Sequence, residues 1–152
     1  MGREVIRTAT ESDLPEIMRM GRAFLACTDF SHVPFDESAA TQLVMGLLNG
    51  TGTVIVSDCP AGLNGMVAMV AFPHFFNANV KAAQEFFWWV DAPARGTRIA
   101  IRLLNQAEEW AHAQGCSTVH MLALDALNGA QVASMYERRG YVSLERTFMR
   151  TL

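Results

Sequence analysis

The stretch from Phe86 to Leu104 constrains this chain more than any other. It reads as four aromatic residues and Val90, then Asp91-Ala92-Pro93-Ala94-Arg95-Gly96-Thr97-Arg98. A pattern follows in which Ile99, Leu103, Ala107, Trp110 and Ala111 recur every three or four residues. Bulky residues without alternation, Phe86-Phe87-Trp88-Trp89, need cover on both faces, so Ala83 to Val90 is expected to be a central strand. Strand, short loop and long helix in succession place a helix N-terminus at the loop, where unbonded N–H groups and the positive end of the dipole converge. Such a point suits a pyrophosphate. Gly96 lets the backbone approach closely, and Arg95, Arg98 and Arg102 add positive charge. An ordinary strand-to-helix turn meets the same description. Neither GxGxxG nor GxxxxGK[ST] occurs, so no dinucleotide or nucleoside-triphosphate loop is indicated.

The rest of the chain supplies alternating strand and helix patterns. Val5 to Ala9 reads as a strand. Thr10 to Asp13 offers cap residues for a helix carrying Leu14, Ile17, Met18, Gly21 and Leu25 on one face. Cys27 to Phe35 reads as a loop, and a second helix runs from Asp36 or Ser38 to Leu48. Thr53 to Ser57 and Leu63 to Phe72 are strands joined by the turn residues Asp58 to Gly62. Pro73 to Lys81 reads as loop, Thr97 to Gln114 as a helix stopped by Gly115, and Thr118 to Leu124 as a strand. Asn128 to Arg139 is a helix closed by Gly140, and Tyr141 to Met149 a final strand. The order β-α-α-β-β-β-α-β-α-β predicts a single α/β domain over residues 1–152, with a mixed, mostly antiparallel central sheet flanked by helices.

Composition narrows the function classes. Charged residues are 18% of 152, and twelve Lys and Arg against fifteen Asp and Glu give a formal charge of −3. A general phosphate-backbone binder is usually basic, so nucleic acid is not the expected partner. The longest apolar runs fall far short of the roughly 20 residues that span a bilayer, and the N-terminus lacks a secretory leader. No membrane partner and a cytoplasmic location are the expectation. Cys27, Cys59 and Cys116 are scattered, which predicts three buried thiols and neither a disulfide framework nor a metal cluster.

Arg95-Gly96-Thr97-Arg98-Ile99-Ala100 resembles the acyl-CoA pyrophosphate loop of the GNAT family of N-acetyltransferases: Gln or Arg, two residues, Gly, one residue, then Gly or Ala. Arg95 and Ala100 match the outer positions, and Arg98 stands where the family has its glycine. Ala133-Ser134-Met135-Tyr136-Glu137-Arg138-Arg139-Gly140-Tyr141 is similar to the family's late helix with its tyrosine, glycine and aromatic. The resemblance covers essentially the whole chain, and its later half is the more specific. It implies transfer of an acetyl group from acetyl-CoA to an amine, by direct attack in a ternary complex. It also implies that Trp89 and Val90 contact the pantetheine arm through their backbone, that Arg95 to Ala100 hold the pyrophosphate, and that Tyr136 protonates the leaving thiolate.

Several residues keep two readings. Asn128 either caps the following helix or contacts the coenzyme; it precedes Tyr136 by eight residues where the family commonly has seven. Glu85, beside four aromatics, is either a base with a raised pKa or a solvated glutamate at the strand's edge. His120 is a second candidate base or a hydrogen-bonded structural histidine. For the acceptor, a small-molecule or peptide amine, the aromatic loops holding Phe30, His32 and Phe35, and Phe75 and Phe76, are candidates, though either fits a contact between copies in a homodimer. A protein of this fold that binds coenzyme or a partner without catalysing transfer is the rival reading, for which Arg98 and the shifted asparagine speak.

Overall fold

The computed structural model describes residues 2–152. Its contacts divide the chain into a larger unit ending at Leu122 and a smaller one, Ala123–Leu152. In the larger unit five strands, β1 (Val5–Thr8), β2 (Gly52–Cys59), β3 (Gly62–His74), β4 (Asn77–Val90) and β5 (Cys116–His120), lie in the order β1-β2-β3-β4-β5. The first four pair antiparallel, and β4 and β5 pair parallel. A parallel pair needs a crossover, and α3 (Ile99–Ala113) provides it. The helices α1 (Leu14–Ala26) and α2 (Glu37–Asn49) connect β1 to β2.

Alternation along the strands assigns the helices to opposite faces. Ile55, Val67, Met69 and Ala83 form one buried cluster with Ile99, Leu103, Ala107 and Ala111 of α3, and Trp88 and Val90 pack against it. Between those two residues, Trp89 turns to the other face. There the Phe24 ring of α1 meets Phe87 at 6.2 Å and Trp89 at 6.4 Å. Two covered faces explain why β2 and β3 read as nearly continuous apolar runs. The expectation that Phe86, Phe87, Trp88 and Trp89 need cover on both sides holds for the last three and fails for the first. Phe86 is 44% exposed because a register shift leaves it bulged between the pairs Ala68–Phe87 and Met69–Glu85.

Caps begin the first helices where expected. The Thr10 N–H donates to the Asp13 carboxylate at 2.8 Å, which Arg7 also grips at 2.8 Å, and Asp36 accepts from the Ala39 N–H at the start of α2. Gly115, at φ +76, follows the end of α3.

Four expectations are corrected. The segment Pro73 to Lys81 is not a loop: β3 continues to His74 and β4 starts at Asn77, leaving Phe75 and Phe76 as the hairpin turn, with Pro73 at a second register shift. The strand expected to reach Leu124 ends at His120, because β4 and β5 pair only as far as Gln84–His120. The cysteines are free but not buried: Cys27 is exposed at the end of α1, and Cys59 and Cys116 are half-buried. In the smaller unit, α4 (Gly129–Arg138) forms as expected, but residues 141–152 hold no strand. Strand composition there has no partner ladder among the described residues, and Val142, Leu144 and Phe148 are 84%, 70% and 88% exposed.

Candidate active site

The site in the larger unit starts where two parallel strands part. Beyond Gln84–His120 the ladder stops, so from Glu85 to Val90 β4 pairs, among the described residues, only with β3, and no described strand lies beside its other edge. An extended ligand chain can use those peptide groups as a missing strand would. At the point of parting the Glu85 carboxylate accepts a hydrogen bond from the Leu122 N–H at 2.9 Å and is only 4% exposed. Burial disfavours its charged form and pushes its pKa up to about 7, against the opposing pull of that N–H. The reading of Glu85 as a solvated edge residue is therefore overturned, since the divergence turns the carboxyl into the gap. Opposite Gln84, His120 lies half-buried with Nε2 3.3 Å from the Thr118 hydroxyl.

From Val90 the chain passes through a short 3-10 turn (Ala92–Ala94) to Gly96 at φ +79, a left-handed conformation with nothing within 4 Å of the place where a side chain would begin. Thr97 donates to the Ala94 carbonyl at 2.6 Å and accepts from the Ile99 N–H at 3.3 Å, fixing the loop against the start of α3. The Arg95 guanidinium lies 4.5 Å over the Trp89 ring while its Nε donates to the Val90 carbonyl. Trp89 in turn donates through Nε1 to Asp91 at 2.8 Å, and Arg19 of α1 bonds the same carboxylate at 2.8 Å. Strand end, loop and first helix are thus one hydrogen-bonded unit.

At the front of α3 a cleft of about 470 Å³ is lined by Arg3, Glu4, Thr97, Arg98, Ile99 and Arg102. Arg98 borders this space and does not plug it. Arg102 pairs with Glu4, so three guanidinium groups and one carboxylate leave the cleft net positive. Such a corner fits a diphosphate and its nucleotide tail by charge, by size and by its backbone N–H groups.

In the smaller unit Asn128 occupies the N-cap of α4 but makes no side-chain cap bond, and its φ of 55 and ψ of 42 are left-handed. The capping reading is therefore not supported. It is the one non-glycine residue at positive φ among those described, a conformation asparagine tolerates better than most. Tyr136 is buried, its ring 5.2 Å from that of Tyr141.

The structure separates the acceptor candidates. Phe35 lines an apolar cavity with α1 and α2, and Arg22 stacks on it at 4.4 Å. Phe30 is 47% exposed, and the exposed His32 has Nδ1 3.2 Å from the Asp29 carbonyl. Phe75 and Phe76 sit at the end of β4 opposite Val90, roughly 30 Å from Glu85 along the strand. Sequence reasoning missed Arg3 and Glu4 in the cleft, Asp91 as the joint between Arg19 and Trp89, and Leu122 on Glu85. These meetings depend on pairing between distant segments and leave no local pattern.

Comparison with known proteins agrees with this geometry. A search of curated proteins finds no sequence match. Solved structures match over nearly their full length. An acetyltransferase of Trypanosoma brucei has a TM-score of 0.76 at 18% identity, with 99% of this chain and 100% of that one covered. A ribosomal-protein-alanine N-acetyltransferase of Brucella melitensis biovar Abortus has 0.76 at 16%, with 99% and 100% covered. An aminoglycoside acetyltransferase from an uncultured soil metagenomic sample has 0.75 at 18%, with 98% and 96% covered. At such identities the likeness establishes the fold, a five-stranded mixed sheet with flanking helices. The model of the Acetyltransferase (GNAT) family matches residues 25–141, and the chain belongs to that family.

Proposed function

We propose that residues 1–152 act as one N-acetyltransferase domain that moves the acetyl group of acetyl-CoA to an amine. The observation that carries this reading is the free β4 edge, Glu85 to Val90, leading into a glycine-opened helix start beside a net positive cleft. Bound acetyl-CoA supplies the acyl carbon: the amine nitrogen bonds to it, the carbon–sulfur bond breaks, and the sulfur leaves as thiolate. The protein's tasks are to orient, to move two protons and to exclude water. Trp89 and Val90 align the pantetheine arm through backbone groups. Arg95, Gly96, Thr97, Arg98, Ile99 and Ala100 hold the diphosphate, with Arg3 and Arg102 beside them. Glu85, with a pKa about 7, takes the proton from the incoming ammonium near neutral pH. Tyr136 donates to the thiolate, and Asn128 contacts the coenzyme. The acceptor enters along the Phe30–Phe35 loop, a cytoplasmic setting supplies the coenzyme, and a homodimer is the working assembly.

Calorimetry with acetyl-CoA and thiol-release assays with a panel of amines test the proposal. Micromolar coenzyme affinity with amine-dependent thiol release is expected, and no heat at millimolar coenzyme removes the reading. The rival, a coenzyme-binding protein that does not catalyse transfer, rests on Arg98 in the loop. An Arg98 side chain that borders the cleft and leaves about 470 Å³ open weighs against it.

A further inference from the structure

Arg95 stands where the open edge of β4 meets the loop that starts α3. Val90, the last residue of β4, lies opposite Gly65, and the next N–H along the chain, that of Asp91, donates to the Asn64 carbonyl at 2.9 Å. Antiparallel pairs alternate between those that exchange ladder bonds and those that turn their peptide groups outward. The Val90 N–H and C=O therefore point away from β3, into the open side. There the carbonyl already has a donor, Arg95 Nε at 2.9 Å, and the arginine side chain fills the space beside that oxygen. The same guanidinium lies 4.5 Å over the Trp89 ring. That ring is held in turn by its Nε1 bond to Asp91 at 2.8 Å, by Arg19 on the same carboxylate, and by Phe24 edge-on at 6.4 Å.

Arg95 thus lies across the last peptide group that an extended chain along β4 would use before it reached the loop. It is exposed, and both of these contacts are with neutral groups, a ring face and a peptide oxygen. A diphosphate in the loop offers a stronger partner, since its ionised oxygens match the paired N–H groups of a guanidinium. Arg95 directly precedes Gly96, where nothing lies within 4 Å of the Cβ position, so a change of rotamer turns its side chain toward the loop without moving the main chain. The charge it would bring is additional to that of Arg3, Arg98 and Arg102, which line the cleft at the front of α3. We infer that Arg95 is a specificity-determining residue for the acyl donor: its side chain bars the end of the β4 edge to thioesters that carry the pantetheine arm alone, and a diphosphate draws it aside. The inference rests on the acetyl-transfer reading. An arm without a diphosphate must break the contacts of Arg95 with Val90 and Trp89 and puts nothing in their place, whereas coenzyme A exchanges them for a charged pair. Selectivity then comes from a barrier against the wrong ligand as well as from attraction to the right one.

Calorimetry with coenzyme A and with pantetheine, on the native protein and on Arg95→Ala, is the test. The variant should bind pantetheine about three- to ten-fold more tightly, because the contacts to be broken are gone. It should bind coenzyme A about ten- to a hundred-fold more weakly, because the charged pair is lost. A merely structural role does not move the two affinities in opposite directions. Weakening of both would make Arg95 a fixed support of the edge, tightening of both a simple obstruction, and no change in either an idle surface side chain; each result overturns the inference. Nuclear magnetic resonance of the native protein gives a second reading that depends on no variant. The Arg95 Nε–H signal, identified by its cross-peaks to the Trp89 ring, should be ring-shielded in the protein alone and should leave the shielded range when coenzyme A saturates it. A signal that stays shielded in the saturated protein overturns the inference. No heat with coenzyme A on the native protein removes the transfer reading and this inference with it, whereas heat accompanied by changes of one sign in Arg95→Ala removes this inference alone.

Discussion

Glu85 shows how a residue's role follows from backbone pairing. On a fully paired strand its carboxyl would lie among side chains or in solvent; where β5 leaves β4 it meets the Leu122 N–H and is buried. Glu85→Gln should lower kcat by about 100-fold to 1,000-fold and remove an ascending limb of the pH–rate profile centred near 7. A profile that keeps this limb in the variant would transfer the base role to His120 or water. Tyr136→Phe should lower turnover about ten-fold to a thousand-fold with little change in coenzyme affinity, as loss of a general acid requires; unchanged turnover retires that assignment. Burial raises Glu85's pKa, and the apolar run in which the residue sits is visible in the sequence. The Leu122 N–H opposite it is not, since 37 residues separate the two.

Among the elements, the loop from Asp91 to Arg98 carries the most of the proposed function for its length. Gly96 adopts φ +79, which a branched side chain enters at a cost of about 1–3 kcal/mol. Gly96→Val is expected to weaken coenzyme binding at least ten-fold in calorimetry. The start of α1 depends on an equally local device. Asp13 accepts from the Thr10 N–H and from Arg7, and that guanidinium holds its carboxyl down at about 2. Asp13→Asn should lower stability by roughly 1–2 kcal/mol in denaturant unfolding at pH 7, the usual worth of a cap with a charge-assisted partner. Caps and stops at Asp13, Asp36 and Gly115 were legible because they act within four residues. The supposed loop at Pro73–Lys81 and the supposed strand at Tyr141–Met149 were misread for one reason: a strand exists only where another strand accepts its hydrogen bonds, and residue preference does not say where that is.

For the molecule as a whole, pH and salt integrate these local effects. Glu85 has an ordinary pKa of 4.5 and a folded one of about 7, so between those values the folded chain keeps a proton the unfolded chain has released. Stability therefore falls as pH rises across that window, and Glu85→Gln should be more stable than the native protein at pH 8 by about 3 kcal/mol in urea. Asp13 acts in the opposite sense: its contribution is present above its ordinary value of 3.8 and is lost as pH falls toward 2. A protein of net charge −3 with a net positive cleft should also bind coenzyme A several-fold more weakly when salt rises from 50 to 500 mM. An affinity indifferent to salt would move the diphosphate away from Arg3, Arg98 and Arg102. The sequence by itself determined the helix faces, their caps, the doubly covered strand at Phe87–Trp89 and the glycine loop that opens α3, because each depends on spacing within one or two turns of chain. Only the tertiary structure decided where β5 releases β4, that Glu85 is buried at that fork, and that Arg3 and Glu4 reach the cleft. Those features are made when segments far apart in the chain come into register, and their energies are set by contacts that no single segment contains.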